Sequence, residues 1–219
     1  MKLLELSTKN IPGIIIQLSA IVYTLQLSNV VLSSSWVSLA MSVLSTGIIS
    51  ATISYDWDTS PKNRKKDPSF YGYVPKSTAK RTIVFLAIML FSSGSVMFRC
   101  MTIVLINLSG NGWVIIYLLA EMGIYLLVKI VRRDFWYSVP FGGNSEIMSS
   151  VLFRVTAKLT LDFTSLIQLR HQQEVGGAFW LIGIASTIAS LWVSIALAVG
   201  TYGYHHPGVK LAIQIAIYA

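Results

Sequence analysis

Charge is scarce in this chain. Of its 219 residues only 12% are Asp, Glu, Lys or Arg, about half the roughly 25% usual for soluble domains. That scarcity excludes a disordered chain and an ordinary cytosolic enzyme. Cysteine is scarcer still. Cys100 is the single one, so no internal disulfide forms and a secreted disulfide scaffold is excluded. It lies within an apolar run and reads as a small buried hydrophobe. Phosphate-binding and catalytic motifs are lacking too. Gly142-Gly143 and Gly176-Gly177 precede no Lys-Ser/Thr pair, and no nucleophile elbow or metalloprotease helix occurs. No cofactor and no metal is implied.

What remains is apolar. Hydrophobic residues make up 54% of the chain, and its mean hydropathy is +0.65. A soluble chain of this size would expose large apolar patches. The expected class is therefore an all-α, polytopic transmembrane bundle, taken as one domain over 1–219. The net charge of +8 does not signal nucleic acid, because the basic residues flank apolar segments instead of forming a soluble patch.

A helix needs about 20 apolar residues to cross a bilayer. Six stretches are expected to do so: Ile11–Val31, Trp36–Tyr55, Thr82–Leu108, Trp113–Val131, Ile147–Leu169 and Ala178–Gly200. Barrel strands are shorter and strictly alternating, unlike these runs. Trp36, Trp113, Trp136 and Tyr137 fall at span ends, as interfacial anchors do.

The loop 56–81 carries Lys62, Arg64, Lys65, Lys66, Lys76, Lys80 and Arg81 against Asp56, Asp58 and Asp67. With the N-terminus inside, those seven bases join Lys2, Lys9, Lys129, Arg132, Arg133 and Lys210 on the inner side, against Arg170 outside. The positive-inside rule then gives six spans with both termini cytoplasmic. The fifth stretch is the weakest, since Arg154, Lys158 and Asp162 interrupt it. If it lies in the interface, the last span reverses direction.

Charges at membrane depth cost about 2.5–3.5 kcal/mol each, so they need partners or water. Arg99 stands nine residues before Leu108, and Glu121 eight after Trp113. At about 1.5 Å per residue, both lie roughly 12–14 Å from the turn 109–112. A pair is expected between them. Arg154, Lys158 and Asp162 are spaced i, i+4, i+8 and share one helical stripe, which should face the bundle interior or a wet cleft. Two readings stay open. The five charges form a buried network that fixes helix register, or they line a hydrophilic track for polar groups. Two acids against three bases favour an anionic passenger such as a phosphate headgroup. Ser92-Ser93-Gly94-Ser95 suits close helix packing. His205-His206 has no evident third ligand and reads as tail polarity.

The segment Ile11-Pro12-Gly13-Ile14-Ile15-Ile16-Gln17 resembles the Pro-Gln-Leu-x-Leu-Gln start of a span in the XK-related membrane proteins, with Pro12 and Gln17 in place. The Ser-rich second span ends in Ser54-Tyr55 before a basic loop, as in that family, and the third carries an internal base, Arg99. The resemblance covers roughly Leu4 to Ile106. It implies a plasma-membrane, XK-like helical bundle that moves phospholipids between leaflets without ATP, not an enzyme. It also implies membrane lipids as partners, and a second membrane protein or a second copy of the chain. Arg99, Glu121, Arg154, Lys158 and Asp162 would then line the headgroup path. The rival readings are an accessory subunit with a buried charge network, or a small-anion channel.

Overall fold

The computed structural model describes residues 2–28, 31–66, 68, 71–131, 148, 152, 155, 158, 163–164 and 177–218. Every regular element among them is helical. The first is α1, Lys2–Glu5, which runs through a π-helical turn, Leu6–Asn10, into α2, Ile11–Ser28. Proline explains the wide turn. Pro12 has no N–H to give the preceding turn, and its ring crowds the carbonyl four residues back. A π-turn opens the helix at that point. Then come α3, Ser33–Thr59, a short α4, Pro61–Lys66, and α5, Thr78–Ser109. The series ends with α6, Asn111–Val131, α7, Gly177–Tyr202, and α8, Pro207–Tyr218.

Among the described residues, four helical stretches are long and apolar enough to cross a membrane: Leu6–Leu27, Ser33–Thr59, Thr78–Ser109 and Gly183–Tyr202. A shorter apolar stretch, Gly112–Leu127, lies in α6. At 32 residues, α5 is about 48 Å long and exceeds the ~30 Å hydrocarbon core. Its first turn therefore has room to project beyond it.

The core is a seam along α5. Val96, Cys100, Met101, Val104 and Leu105 meet Ile14, Leu18 and Val22 of α2 and Leu191, Ile195 and Ala198 of α7. The spacing of four on α2 places its three residues on one stripe. Outside the seam, large apolar side chains stay exposed. Ile115, Leu119, Ile124 and Leu127 of α6 are examples. An apolar exterior around a sparse core suits lipid as the surrounding solvent.

Small residues bring α3 against α5. Ser93 Oγ donates to the Val43 carbonyl at 3.3 Å. A Cβ at Gly47 would stand 2.6 Å from the Met89 carbonyl oxygen, so no side chain fits there. In lipid, such close approach replaces the hydrophobic drive between helices. Gly47→Ala is expected to lower stability by about 1–3 kcal/mol through overpacking, read as earlier melting in detergent. Unchanged melting would mean that the two helices are farther apart.

Side-chain contacts fix the helix directions. Val43 meets Ser93, Gly47 meets Met89, and Tyr55 lies under Arg81, with 5.5 Å from guanidinium to ring centre. Later residues of α3 meet earlier ones of α5, so the two are antiparallel. Lys2 pairs with Asp56 at 2.9 Å, which puts the start of the chain at the end of α3. The α5–α6 turn makes the next antiparallel pair, with Gly110 at φ +146°, a conformation that favours glycine.

Helix α7 departs from the expectation of six alternating spans. Arg99 donates to Thr187 Oγ1 at 3.1 Å, and Tyr202 donates its hydroxyl proton to the Leu108 carbonyl at 2.6 Å. Later residues of α5 meet later residues of α7. The two helices run parallel, and α7 ends beside the 109–112 turn. The start of α1 and the end of α7 thus lie at opposite ends of the bundle. Segment 147–169 lies mostly outside the described residues.

The tail is a further difference. Residues Pro207–Tyr218 form α8, 12 residues or about 18 Å. Pro207 opens it, a favoured first position, and Gly208 N–H donates to His206 Nδ1 at 3.2 Å. Val209 and Ala212 are buried, and a Cβ on Gly208 would stand 2.7 Å from Val22 Cγ1.

Candidate functional site: a charge cluster on α5, α6 and α7

Arg99 of α5 and Glu121 of α6 meet. Arg99 Nη1 lies 2.7 Å from Glu121 Oε1, with side chains 11% and 22% exposed. The α5–α6 turn dictates the register, because equal distances from one tight turn give equal depth. Lys158 Nζ approaches the same carboxylate oxygen at 3.9 Å and is 17% exposed. One carboxylate oxygen thus faces two cations from different parts of the chain.

Neighbours sequence reasoning did not name complete the site. Thr187 accepts from Arg99 Nη2 and donates its own proton to the Gly183 carbonyl. The Phe163 ring centre is 6.0 Å from the Arg99 guanidinium carbon, and the Tyr125 ring centre is 5.0 Å from Lys158 Nζ. A ring face attracts a cation by about 0.5–2 kcal/mol, more as water is excluded. Below this layer, Ser92 Oγ donates to the Thr164 carbonyl. The polar residues Thr187 and Ser190, one helical turn apart on α7, were the available signal; Ser190 Oγ donates to the Thr187 carbonyl at 2.8 Å.

The other expected site residues fall elsewhere. Arg154 and Asp162 lie outside the described residues. Pro12 opens α2 after the π-turn, and Tyr55 stacks under Arg81 near the end of α3. Gln17 Oε1 and Ser54 Oγ are buried with no hydrogen-bond partner among the described residues. These four do not converge on the charge cluster. His206 precedes α8 and accepts from Gly208 N–H, and no group of three metal-ligating side chains occurs among the described residues.

A second polar centre closes the loop after α3. Asp58 is fully buried. Its Oδ1 accepts from the N–H groups of Gly72 at 2.7 Å and Tyr73 at 3.3 Å; its Oδ2 accepts from Val74 N–H at 3.1 Å and faces Arg64 Nη2 at 3.4 Å. Arg64 Nε also donates to the Asp58 carbonyl at 2.7 Å. Gly72 sits at φ +100°, which turns its N–H toward the carboxylate. Burial, and then the nearby Asp58 carboxylate, push the Tyr73 phenol up to about 12.

No family model matches the chain, and no curated protein or solved structure is significantly similar to it.

Proposed function

We propose that this integral membrane protein lets phospholipids pass between leaflets without ATP, the activity that the XK-like resemblance implies. The observation that supports the reading is the cluster of Arg99, Glu121 and Lys158, with Arg99 on α5 and Glu121 on α6 away from the ends of these apolar helices, and all three still partly accessible. A headgroup entering hydrocarbon loses water from a phosphate and often from an ammonium group. Guanidinium and ammonium donors match the phosphate, and the Glu121 carboxylate matches an ammonium. Each such contact offsets part of the dehydration. No covalent step is involved.

In this reading the basic end of the bundle faces the cytoplasm, and the membrane is the plasma membrane. Lipids are the passengers. A second membrane protein or another copy of the chain is the expected companion.

Reconstitution with fluorescent lipid and dithionite quenching tests the proposal. Lys158→Ala is expected to slow lipid exposure about tenfold, equivalent to ~1.4 kcal/mol of barrier, with helix content unchanged. Wild-type protein that moves no lipid would overturn it. Ion flux without lipid movement would favour a channel.

A second reading is an accessory subunit in which the charges hold helices together. The direct 2.7 Å pair of Arg99 and Glu121, closed on its far side by Thr187, favours it. In that case Lys158→Ala alters melting and leaves lipid movement at the level of empty vesicles.

A further inference from the structure

We propose that the basic end of the bundle is a binding surface for the headgroups of anionic phospholipids. The proposal does not depend on lipid passage, since it concerns a different end of the molecule from the charge cluster.

The surface is built by the Asp58 clasp. Three backbone N–H groups and Arg64 converge on that carboxylate and fold residues 72–74 back against the end of α3. The clasp occupies one acid. Lys2 occupies another, Asp56. Glu5 is the further exposed acid at this end among the described residues. Around them stand Lys62 and Lys65 on α4, Lys76, and Lys80 in the first turn of α5. All four are exposed, and none enters an ion pair among the described residues.

Position selects the partner. Helix α3 ends and α5 begins here, so these lysines sit where two apolar helices leave the hydrocarbon. Trp57 and the partly buried Tyr73 lie at the same level, each with part of the residue exposed, as amphipathic aromatics do among headgroups. A cation near an anionic leaflet is attracted by its surface potential, and the attraction fades within a Debye length. The opposite end offers nothing comparable. Lys210 is the single Lys or Arg near it among the described residues.

The full-length protein is reconstituted in bilayers containing roughly one-third phosphatidylserine. Spin-labelled phosphatidylserine and phosphatidylcholine are compared by the fraction immobilised at the protein surface. Wild type is expected to prefer the serine lipid about threefold, and to lose that preference as salt rises toward ~0.5 M. The combined Lys62→Gln, Lys65→Gln, Lys76→Gln and Lys80→Gln variant is expected to show no preference, while Lys210→Gln keeps it. Equal immobilisation of both lipids by wild type, or a preference untouched by salt and by the four substitutions, would overturn the proposal. Displacement of the lipid by soluble glycerophosphoserine would also overturn it, because the site would then hold a free headgroup. The salt series on wild type stands even if the fourfold variant fails to fold.

Discussion

Glu121→Leu is expected to destabilise the bundle by about 3–5 kcal/mol, the usual range when one partner of a buried pair is removed. The reason is geometric. Arg99 at 2.7 Å and Lys158 at 3.9 Å both face the Glu121 Oε1 atom, so its loss sets two cations side by side at membrane depth. At a few degrees per kcal/mol for a chain of this size, the apparent Tm in detergent should fall by about 10 °C. Pairing with Arg99→Leu should restore much of the loss, because the most buried cation goes with its partner. A double-mutant cycle reads the coupling directly. Simple addition of the two single effects would mean that the pair contributes nothing.

Asp58→Ala should act on a different part of the molecule. Its carboxylate accepts three backbone N–H bonds and an Arg64 contact from within a fully buried site. Hydrogen bonds to a charged group are worth about 1.5–3 kcal/mol each. Losing several at once frees the loop without unfolding the spanning helices. An opening free energy lowered by ~3 kcal/mol raises the open population about a hundredfold. Trypsin should then cut after Lys62, Arg64 or Lys65 faster by a similar factor, with helix content unchanged. Asp58→Asn retains one acceptor oxygen and should fall between. Equal cutting in wild type and Asp58→Ala would contradict the clasp.

The sequence made some of this legible and hid the rest for physical reasons. Apolar runs locate α2, α3, α5, α6 and α7 to within a few residues, because length and hydropathy alone decide which segments prefer lipid. The Arg99–Glu121 pair is legible because a tight turn converts sequence distance into depth. The direction of α7 is not. Thr187 lies near the middle of its helix, so it matches the depth of Arg99 whichever way α7 runs. Tyr202, at the end, distinguishes the two directions, and its partner is a backbone carbonyl that no side-chain pattern reports. Asp58 reads as one more loop charge because hydropathy falls after Tyr55. Its burial depends on Gly72, Tyr73 and Val74, more than a dozen residues away. Helix α8 is hidden by its shortness and by the two histidines before it.

The parallel course of α5 and α7 brings Thr187 to Arg99 and sets the end of α7 opposite the basic loop. Labelling with a membrane-impermeant maleimide tests it most directly, in a Cys100→Ala background carrying Lys62→Cys, Gly112→Cys or His205→Cys one at a time. The expected result is that positions 112 and 205 react from one side of the membrane and position 62 from the other. Reaction of 62 and 205 from the same side would contradict the parallel arrangement and, with it, the assembly of the charge cluster.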